Sequence, residues 1–184
     1  MKNRLLFLGP PGAGKGTQAE RLASAQGLLH LSTGDLLRAE VAAGSALGQE
    51  AEAVMARGEL VSDALVLAIV RQRLEGQSAG DGWLLDGFPR NLAQAEALAS
   101  LLAELGQPIE LVVLLELDDA VLIQRLLSRG RADDNEAVIR HRLEVYREQT
   151  APLIRYYRER DLLQPVEAEG SVEQIGERIT ALLG

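Results

Sequence analysis

Short, continuous apolar runs alternate along the chain with longer segments whose apolar residues recur every three or four positions. The short runs are typical of buried strands, and the longer segments are typical of amphipathic helices. The pattern predicts five strands, at 4–8, 28–32, 82–87, 109–117 and 162–168. It predicts helices at 14–25, from the second strand to about residue 57, and at 63–76, 91–105, 119–128, 134–160 and 171–183.

Strands that alternate with helices indicate βαβ units, in which parallel strands form one sheet that helices cover on both faces. The predicted fold class is therefore α/β with a five-stranded parallel sheet. At 184 residues the chain is long enough for one domain with a substantial core and short for two. Because ligands of such sheets bind at the carboxyl ends of the strands, the residues that follow each strand are the candidates for function.

The composition argues against several classes of protein. The chain has 27 acidic and 19 basic residues, and a net charge of −8 argues against a protein that binds duplex nucleic acid. It has no cysteine, which excludes disulfides and thiolate metal sites and favours the cytosol. Its apolar runs are too short for a signal sequence or a membrane span. We therefore expect a cytoplasmic protein, monomeric by default, that binds neither nucleic acid nor membrane.

The basic residues are unevenly divided between the two types. Lys2 and Lys15 are the two lysines, so 17 of the 19 basic residues are arginines. Compositional bias alone could produce this excess. The alternative is that some of the arginines bind phosphate, because the planar guanidinium forms paired hydrogen bonds with phosphate oxygens.

A glycine-rich loop, GPPGAGKGT at 9–17, lies between the first predicted strand and a predicted helix. Glycines allow consecutive backbone N–H groups to turn inward around an anion, and the start of the helix adds positive potential. Lys15 can reach the β and γ phosphates of a nucleotide. The loop departs from the usual phosphate-loop pattern, because Gly16 follows the lysine and Thr17 comes one position late. The sequence therefore predicts a nucleotide site, with the usual pairing of a hydroxyl with Mg²⁺ in doubt.

A phosphate loop does not by itself identify the reaction. The Asn-Lys-x-Asp motif of GTPases is absent. Two predicted strands end in acids, at Asp86 and at Glu116 with Asp118 and Asp119. Acids at these positions could serve Mg²⁺ and water activation, so an ATPase that hydrolyses ATP to drive a partner remains an alternative.

Two further strand ends carry polar motifs. Ser32, Thr33 and Asp35 open a helix and can be explained singly as helix caps. After the third strand, Asp86 is followed by a turn from which Arg90 projects. Each of these residues alone could be an ordinary surface group. Together they would place an acid and an arginine near the nucleotide phosphates.

The motifs GPPGAGKGT, LSTGDLLR, GELV, LLDGFPR with Gln94, and RLLSRGRADD followed by Arg140, His141 and Arg142 occur in one order along the chain. In this combination the chain resembles the adenylate kinases over essentially its whole length. The resemblance implies a P-loop NTPase domain of three α/β/α layers spanning 1–184. It also implies two inserts, an AMP-binding region at 32–61 and a short lid at 128–134.

By this resemblance the protein transfers the γ-phosphoryl group of ATP to AMP and forms two ADP, with Mg²⁺ carried by the nucleotide and Asp86 reaching the ion through water. The implied ATP-binding residues are Gly12, Ala13, Gly14, Lys15, Gly16, Thr17, Arg129 and Gly170. The implied AMP-binding residues are Thr33, Gly34, Arg38, Glu59, Leu60, Val61, Gly87, Phe88, Pro89, Arg90, Gln94, Arg131 and Arg142. The implied catalytic residues are Lys15, Arg90, Arg125, Arg129, Arg131 and Arg142.

Such a reaction needs no general base. The second pKa of a phosphate monoester is about 6, so the attacking oxygen of AMP is mostly deprotonated at neutral pH. Positioning and charge stabilisation are sufficient, and arginines supply both. We expect Asp133 and Asp134 to orient the lid arginines or to cap the next helix. We expect His30 and His141 to be packed or at the surface.

Arg140 is left undecided. Eight further arginines are expected to be solvated surface residues: Arg57, Arg71, Arg73, Arg147, Arg155, Arg158, Arg160 and Arg178.

The lid is short, because only Gly130 separates Arg129 from Arg131. Longer relatives carry an inserted subdomain there, in some cases with zinc, so we expect no zinc in this chain.

Three alternatives to the adenylate kinase interpretation stay open. A UMP/CMP kinase shares the fold and the turn around Arg90, but Thr33 and Gln94 resemble the adenylate form. The ATPase described above would consume ATP without AMP. A nucleotide-binding protein without catalysis would have little use for the full set of arginines.

Overall fold

The computed structural model describes residues 1–57, 61–77, 81–129 and 135–184. Its strands are β1 (Arg4–Leu8), β2 (Leu29–Ser32), β3 (Trp83–Asp86), β4 (Leu111–Glu116) and β5 (Leu163–Glu167). All of them pair in parallel, in the order β2-β3-β1-β4-β5. The five-stranded parallel sheet predicted from the apolar runs is therefore confirmed, and each strand lies within its predicted bounds.

In the described ranges, eight α-helices surround the sheet. They are α1 (Lys15–Gln26), α2 (Thr33–Ala43), α3 (Ala46–Ala56), α4 (Asp63–Glu75), α5 (Leu92–Glu104), α6 (Asp119–Ser128), α7 (Glu136–Glu159) and α8 (Val172–Thr180), and a 3₁₀ turn, Ala181–Leu183, follows α8. The segment predicted to be helical up to about residue 57 is helical, and a break divides it into α2 and α3. Gly44 ends α2 in the left-handed region at φ 65°, and the Ser45 side chain caps α3 by accepting from the Gly48 N–H.

The helices bury both faces of the sheet. Side chains alternate along β1, so that Leu6 and Leu8 join one apolar cluster whereas Leu5 and Phe7 join the other. The first cluster includes buried residues of α2 to α5, and the second includes those of α1, α6 and α8. Helix α7 contributes Ile139 to the second cluster and Leu153 to the first. This is the three-layer α/β/α arrangement that the resemblance implied.

The strand order places a crevice beside β1. From β1 the chain builds β2 and β3 on one side of it, then crosses over to build β4 and β5 on the other side. Loops leave in opposite directions at such a switch in strand order, and ligands bind there, outside the carboxyl ends of the strands. The loop after β1 and the turn after β3 therefore face a common space.

A buried acid joins the helices between β2 and β3. Glu40 of α2 is 3% exposed, and its carboxylate accepts a hydrogen bond from the Ser45 hydroxyl at 2.5 Å. The Arg73 Nε of α4 lies 3.4 Å from the other carboxylate oxygen. The expectation that Arg73 is a solvated surface residue was therefore wrong, since a buried carboxylate needs a positive partner. The pair links α2 and α4 across the segment predicted to bind AMP.

Helices α2 and α3 approach each other most closely at Gly48. A Cβ on this residue would lie 1.9 Å from the Glu40 carbonyl oxygen, which belongs to the backbone of α2. We expect Gly48→Ala to lower the free energy of unfolding by about 3 kcal/mol or more, because neither helix backbone can yield without breaking its packing. Urea unfolding followed by circular dichroism measures the change.

Gly76 provides the matched control for that prediction. It has φ −77° at the end of α4, and a Cβ there would meet its nearest atom at an ordinary 3.6 Å. Gly76→Ala should leave stability unchanged or raise it by about 0.5 kcal/mol. Equal effects of the two substitutions would contradict the close approach at Gly48.

Candidate active site

The loop after β1 forms a cradle of backbone N–H groups. Gly12 and Gly14 have φ 86° and 84°, values that glycine adopts without strain. Gly14 is also the N-cap of α1, so the loop runs directly into the positive end of that helix. A Cβ on Gly14 or on Gly16 would meet no atom within 4 Å, so both glycines border open space. The loop has the geometry of an anion site.

Lys15 and Asp86 meet at the carboxyl ends of the central strands. Asp86 is the last residue of β3 and pairs in register with Phe7 of β1 and Ser32 of β2. Lys15 Nζ lies 3.1 Å from Asp86 Oδ1, and the carboxylate side chain is 10% exposed. His30 Nε2 lies 3.7 Å from the other carboxylate oxygen. A positive group from the start of α1 and a negative group from the end of β3 therefore meet at the phosphate loop.

A cavity of about 1030 Å³ opens beside this loop. Its volume is at the upper end of the range for small-molecule sites, which leaves room for a ligand larger than one mononucleotide. It brings together most of the predicted phosphate-binding residues. Those that line it are Gly12, Gly14, Lys15, Gly16, Thr17, Gly87, Pro89, Arg90, Arg125, Arg129 and Arg142.

The remaining predicted residues lie outside the lining of this cavity or outside the described part of the chain. The described ones are Ala13, Thr33, Gly34, Arg38, Val61, Asp86, Phe88, Gln94 and Gly170. Glu59, Leu60, Arg131, Asp133 and Asp134 fall outside the described residues, and so does most of the predicted lid.

The turn after β3 projects Arg90 towards the cavity. Gly87 has φ 91°, and a Cβ on it would come within 2.9 Å of the Thr33 hydroxyl, so this turn packs directly on the start of α2. The peptide bond between Phe88 and Pro89 is cis. The Arg90 Nε donates to the Gly87 carbonyl at 3.1 Å. Two predicted AMP-binding segments are thereby brought into contact.

Gln94 is held by two neighbours in this structure. Its Oε1 accepts from the Arg90 backbone N–H at 2.6 Å, and its Nε2 donates to the Asp63 carboxylate at 2.7 Å. Gln94 therefore joins the turn after β3 to the start of α4. The amide keeps a further acceptor and a further donor position for a base edge.

Arg38 lies at the outer side of the same region. It forms an ion pair with Asp35 one turn earlier in α2, and its side chain is 74% exposed. A Cβ on Gly34 would lie 3.3 Å from the guanidinium nitrogens, so Arg38 folds over Gly34.

Val61, another predicted AMP-binding residue, is partly buried and packs against the first apolar cluster.

Arg125 bridges two loops on the other side of the cavity. Its Nη1 donates to the Gly12 carbonyl at 3.3 Å, and its Nη2 donates to the Ala168 carbonyl at 3.2 Å. Arg125 thus links the phosphate loop to the turn after β5. Gly170 lies in that turn with φ 124°.

One face of α7 completes the cavity, and sequence reasoning found only Arg142 on it. The other lining residues of this helix are His141, Val145, Tyr146, Gln149, Thr150 and Leu153. Val145, Tyr146, Gln149, Thr150 and Leu153 follow Arg142 at helical spacing, and that periodicity was the signal that could have identified them.

On the cavity-lining face of α7, Tyr146 has a side-chain pKa well above its ordinary value. Burial, together with the negative charge of Glu116, raises the pKa of the Tyr146 hydroxyl to about 12. The phenol is therefore protonated at neutral pH and does not act as a base there. It can donate a hydrogen bond into the cavity.

The described ranges contain neither a candidate metal-binding cluster nor a candidate membrane-spanning helix. Among those residues no group of three His, Cys, Asp or Glu side chains could hold a metal ion. In the same ranges, no helix has both the length and the apolar character to cross a membrane.

The chain is similar in sequence to a family of known function. The family model for adenylate kinase matches residues 7–162. The adenylate kinase of Parasynechococcus marenigrum (strain WH8102) is 75% identical over 183 residues, which is 100% of each chain. The adenylate kinase of Synechococcus sp. (strain RCC307) is 73% identical over the same lengths, and that of Prochlorococcus marinus (strain MIT 9211) is 61% identical over 184 residues. With this similarity over the whole chain, and with the phosphate loop and the arginines gathered around one cavity, the protein belongs to the adenylate kinase family.

Proposed function

We propose that this protein catalyses the reversible transfer of the γ-phosphoryl group from ATP to AMP, which gives two ADP. The observation that carries the proposal is one cavity lined by the phosphate loop with Lys15, by Arg90 from the turn after β3, and by Arg125, Arg129 and Arg142. Positive groups from several separate elements around one space suit two polyanions that must meet in line. Full-length similarity to adenylate kinases supports the same reaction.

The described residues support a mechanism without a general base. The acceptor oxygen of AMP is mostly deprotonated at neutral pH, because the second pKa of a phosphate monoester is about 6. The Tyr146 hydroxyl lines the cavity, and its raised pKa keeps it protonated. The protein must therefore position two phosphates and stabilise the charge that spreads over the transferred group. Arginines do this as fixed cations whose planar forks match phosphate geometry.

The donor nucleotide is assigned to the side of the phosphate loop. Gly12, Gly14, Gly16 and Thr17 would surround its phosphates with backbone N–H groups, and Lys15 would provide the positive charge. Ala13 would shape the loop, because its N–H donates to the Pro10 carbonyl at 3.2 Å. Arg129 lies at the end of α6 on the same wall, and Gly170 is within the turn that Arg125 ties to the loop.

The acceptor is assigned to the side of the turn after β3. Arg90 and Arg142 would hold its phosphate, and Arg38 would join them after release from Asp35. Gln94 would present its amide to the adenine. The other acceptor-side assignments are Thr33, Gly34, Glu59, Leu60, Val61, Gly87, Phe88, Pro89 and Arg131.

Asp86 fits a magnesium ion that arrives with the nucleotide. Its buried carboxylate stands between Lys15 and Gly87, both of which line the cavity. Mg²⁺ keeps several water ligands, so one carboxylate reached through water is sufficient. When bound, the ion neutralises charge on the β and γ phosphates.

Segments 32–61 and 128–134 are proposed to move over the bound nucleotides. Closure would exclude water, which would otherwise compete with AMP for the phosphoryl group. The hydrogen bond from the Ser45 hydroxyl to the Glu40 carboxylate supports joint movement of α2 and α3, because it joins the start of α3 to α2.

We also propose a cytoplasmic monomer. The chain has no cysteine, which fits a reducing compartment. Light scattering during gel filtration measures the oligomeric state directly.

The choice of acceptor is tested by assaying ADP formation from ATP with AMP, CMP, UMP or GMP in separate reactions. We expect AMP to be used with the highest kcat/KM. Preferential use of CMP or UMP would overturn the assignment of the acceptor and favour a pyrimidine nucleotide kinase of the same fold.

Gln94→Ala is expected to weaken discrimination between acceptor bases. Loss of two hydrogen bonds to adenine should lower kcat/KM for AMP by about 10- to 100-fold and leave kcat/KM for CMP within about threefold. Gln72→Ala, on the exposed side of α4, is the matched control and should change neither. Equal losses with AMP and CMP would show that Gln94 acts only by supporting Arg90 and Asp63.

A further inference from the structure

The turn at 167–171, between β5 and α8, is held by an unusual number of side chains. Its first part extends the sheet, because the Ala168 N–H donates to the Glu116 carbonyl at 2.8 Å. Its last residue, Ser171, forms a reciprocal capping box with Gln174. Between these two anchors lies Gly170, with φ 124°.

Arginine side chains from two different helices occupy three consecutive carbonyls of this turn. Arg178 of α8 donates from one nitrogen to the Glu167 carbonyl at 2.8 Å and to the Glu169 carbonyl at 2.7 Å. Arg125 of α6 donates to the carbonyl between them, Ala168, at 3.2 Å. The prediction that Arg178 is only a solvated surface residue was therefore wrong.

This arrangement fixes the shape of the turn. Arg178 can reach two carbonyls two residues apart only while the backbone between them stays bent. Its second terminal nitrogen lies 3.7 Å from the position of a Cβ on Gly170, so the guanidinium also borders that glycine. An exposed arginine on an acidic protein would ordinarily be expected to pair with carboxylates, whereas this one donates to backbone carbonyls.

The turn is also connected to the phosphate loop. Arg125 donates simultaneously to the Ala168 and Gly12 carbonyls, so a shift of the turn would displace a side chain that also contacts the phosphate loop. Two arginines therefore hold the turn from opposite sides, one anchored in α8 and the other shared with the phosphate loop.

We propose that Arg178 is a positioning residue for the donor nucleotide, which holds the 167–170 turn in the shape that receives ATP. The inference rests on the proposed function, which places ATP beside the phosphate loop and Gly170. Arg178 has no place among the acceptor-side residues. Its removal should therefore affect ATP and spare AMP, because preorganisation lost on one side of the cavity weakens binding on that side.

The test is steady-state kinetics of Arg178→Met, which keeps the apolar stem and removes the donors. We expect KM for ATP to rise by roughly five- to twentyfold, while kcat and KM for AMP stay within twofold. Arg178→Lys restores a charge that can reach one carbonyl, so its KM for ATP should fall between those of the wild type and Arg178→Met. Arg155→Met, an exposed change on α7, is the matched control and should change neither KM.

The outcomes separate this inference from the proposed function. A wild-type protein that forms no ADP from ATP and AMP would overturn the proposed function itself. An active wild type, with an unchanged KM for ATP in both Arg178 variants, would overturn the positioning role alone. A parallel rise of both KM values, with a lower melting temperature, would show a merely structural role. If Arg178→Met does not fold, the split between the two KM values in Arg178→Lys decides.

Discussion

Replacing Lys15 by methionine is expected to lower kcat/KM for ADP formation by about 10²- to 10³-fold. Methionine keeps the length and apolar character of the stem, so the change removes mainly the charge. That charge lies 3.1 Å from the Asp86 carboxylate, at the entrance to the α1 N-terminus. It is the single lysine in the phosphate loop. A coupled assay of ADP formation measures the loss.

The chain offers a close control for this substitution. Lys2 is the other lysine, and it is exposed before β1, far along the strand from the carboxyl-end crevice. Lys2→Met changes the net charge by the same amount and should leave kcat/KM within about twofold. If Lys15→Met retained more than about a third of the wild-type activity, the phosphate loop would not contribute the stabilisation assigned to it.

Replacing Arg90 by alanine is expected to lower kcat/KM by a similar 10²- to 10³-fold. The turn after β3 holds this side chain by one bond from its Nε to the Gly87 carbonyl, so the two terminal nitrogens remain available to phosphate. In the proposed arrangement the acceptor phosphate and the transferred group would both lie next to Arg90, so we expect kcat to fall more than KM for AMP rises.

Arg90→Lys tests whether the planar fork matters or the charge alone. Lysine keeps the charge but cannot form two parallel hydrogen bonds, so we expect it to recover no more than about a tenth of the wild-type rate. Arg147→Ala is the control arginine, since it forms an ion pair with Asp119 at the surface and should leave activity nearly intact. Full activity in Arg90→Lys would mean that Arg90 acts as a point charge.

The fold could be predicted from the sequence largely because parallel strands are buried on both faces. Their apolar runs, such as Leu5 to Leu8, stand out against the three- and four-residue spacing of the helices. The break at Gly44 was missed, although a glycine that can end a helix is followed there by Ser45, which caps α3.

Part of the candidate site could be predicted from local sequence motifs, and part of it depends on tertiary packing. The phosphate loop and the turn containing Arg90 are local motifs, and a local sequence pattern identifies them. Tyr146 and Arg178 owe their places to the packing of distant helices, and no local signal marks an arginine that will meet a carbonyl nine residues earlier. The pairing of Arg73 with buried Glu40 is likewise a product of tertiary structure.

Transfer between two phosphates with no net hydrolysis is tested most directly by ³¹P NMR of a reaction containing ATP, AMP and Mg²⁺. We expect one ATP and one AMP to disappear for every two ADP formed, and ATP to be stable when AMP is omitted. Release of inorganic phosphate from ATP in the absence of AMP, at a rate comparable to ADP formation in its presence, would contradict this expectation and identify an ATPase.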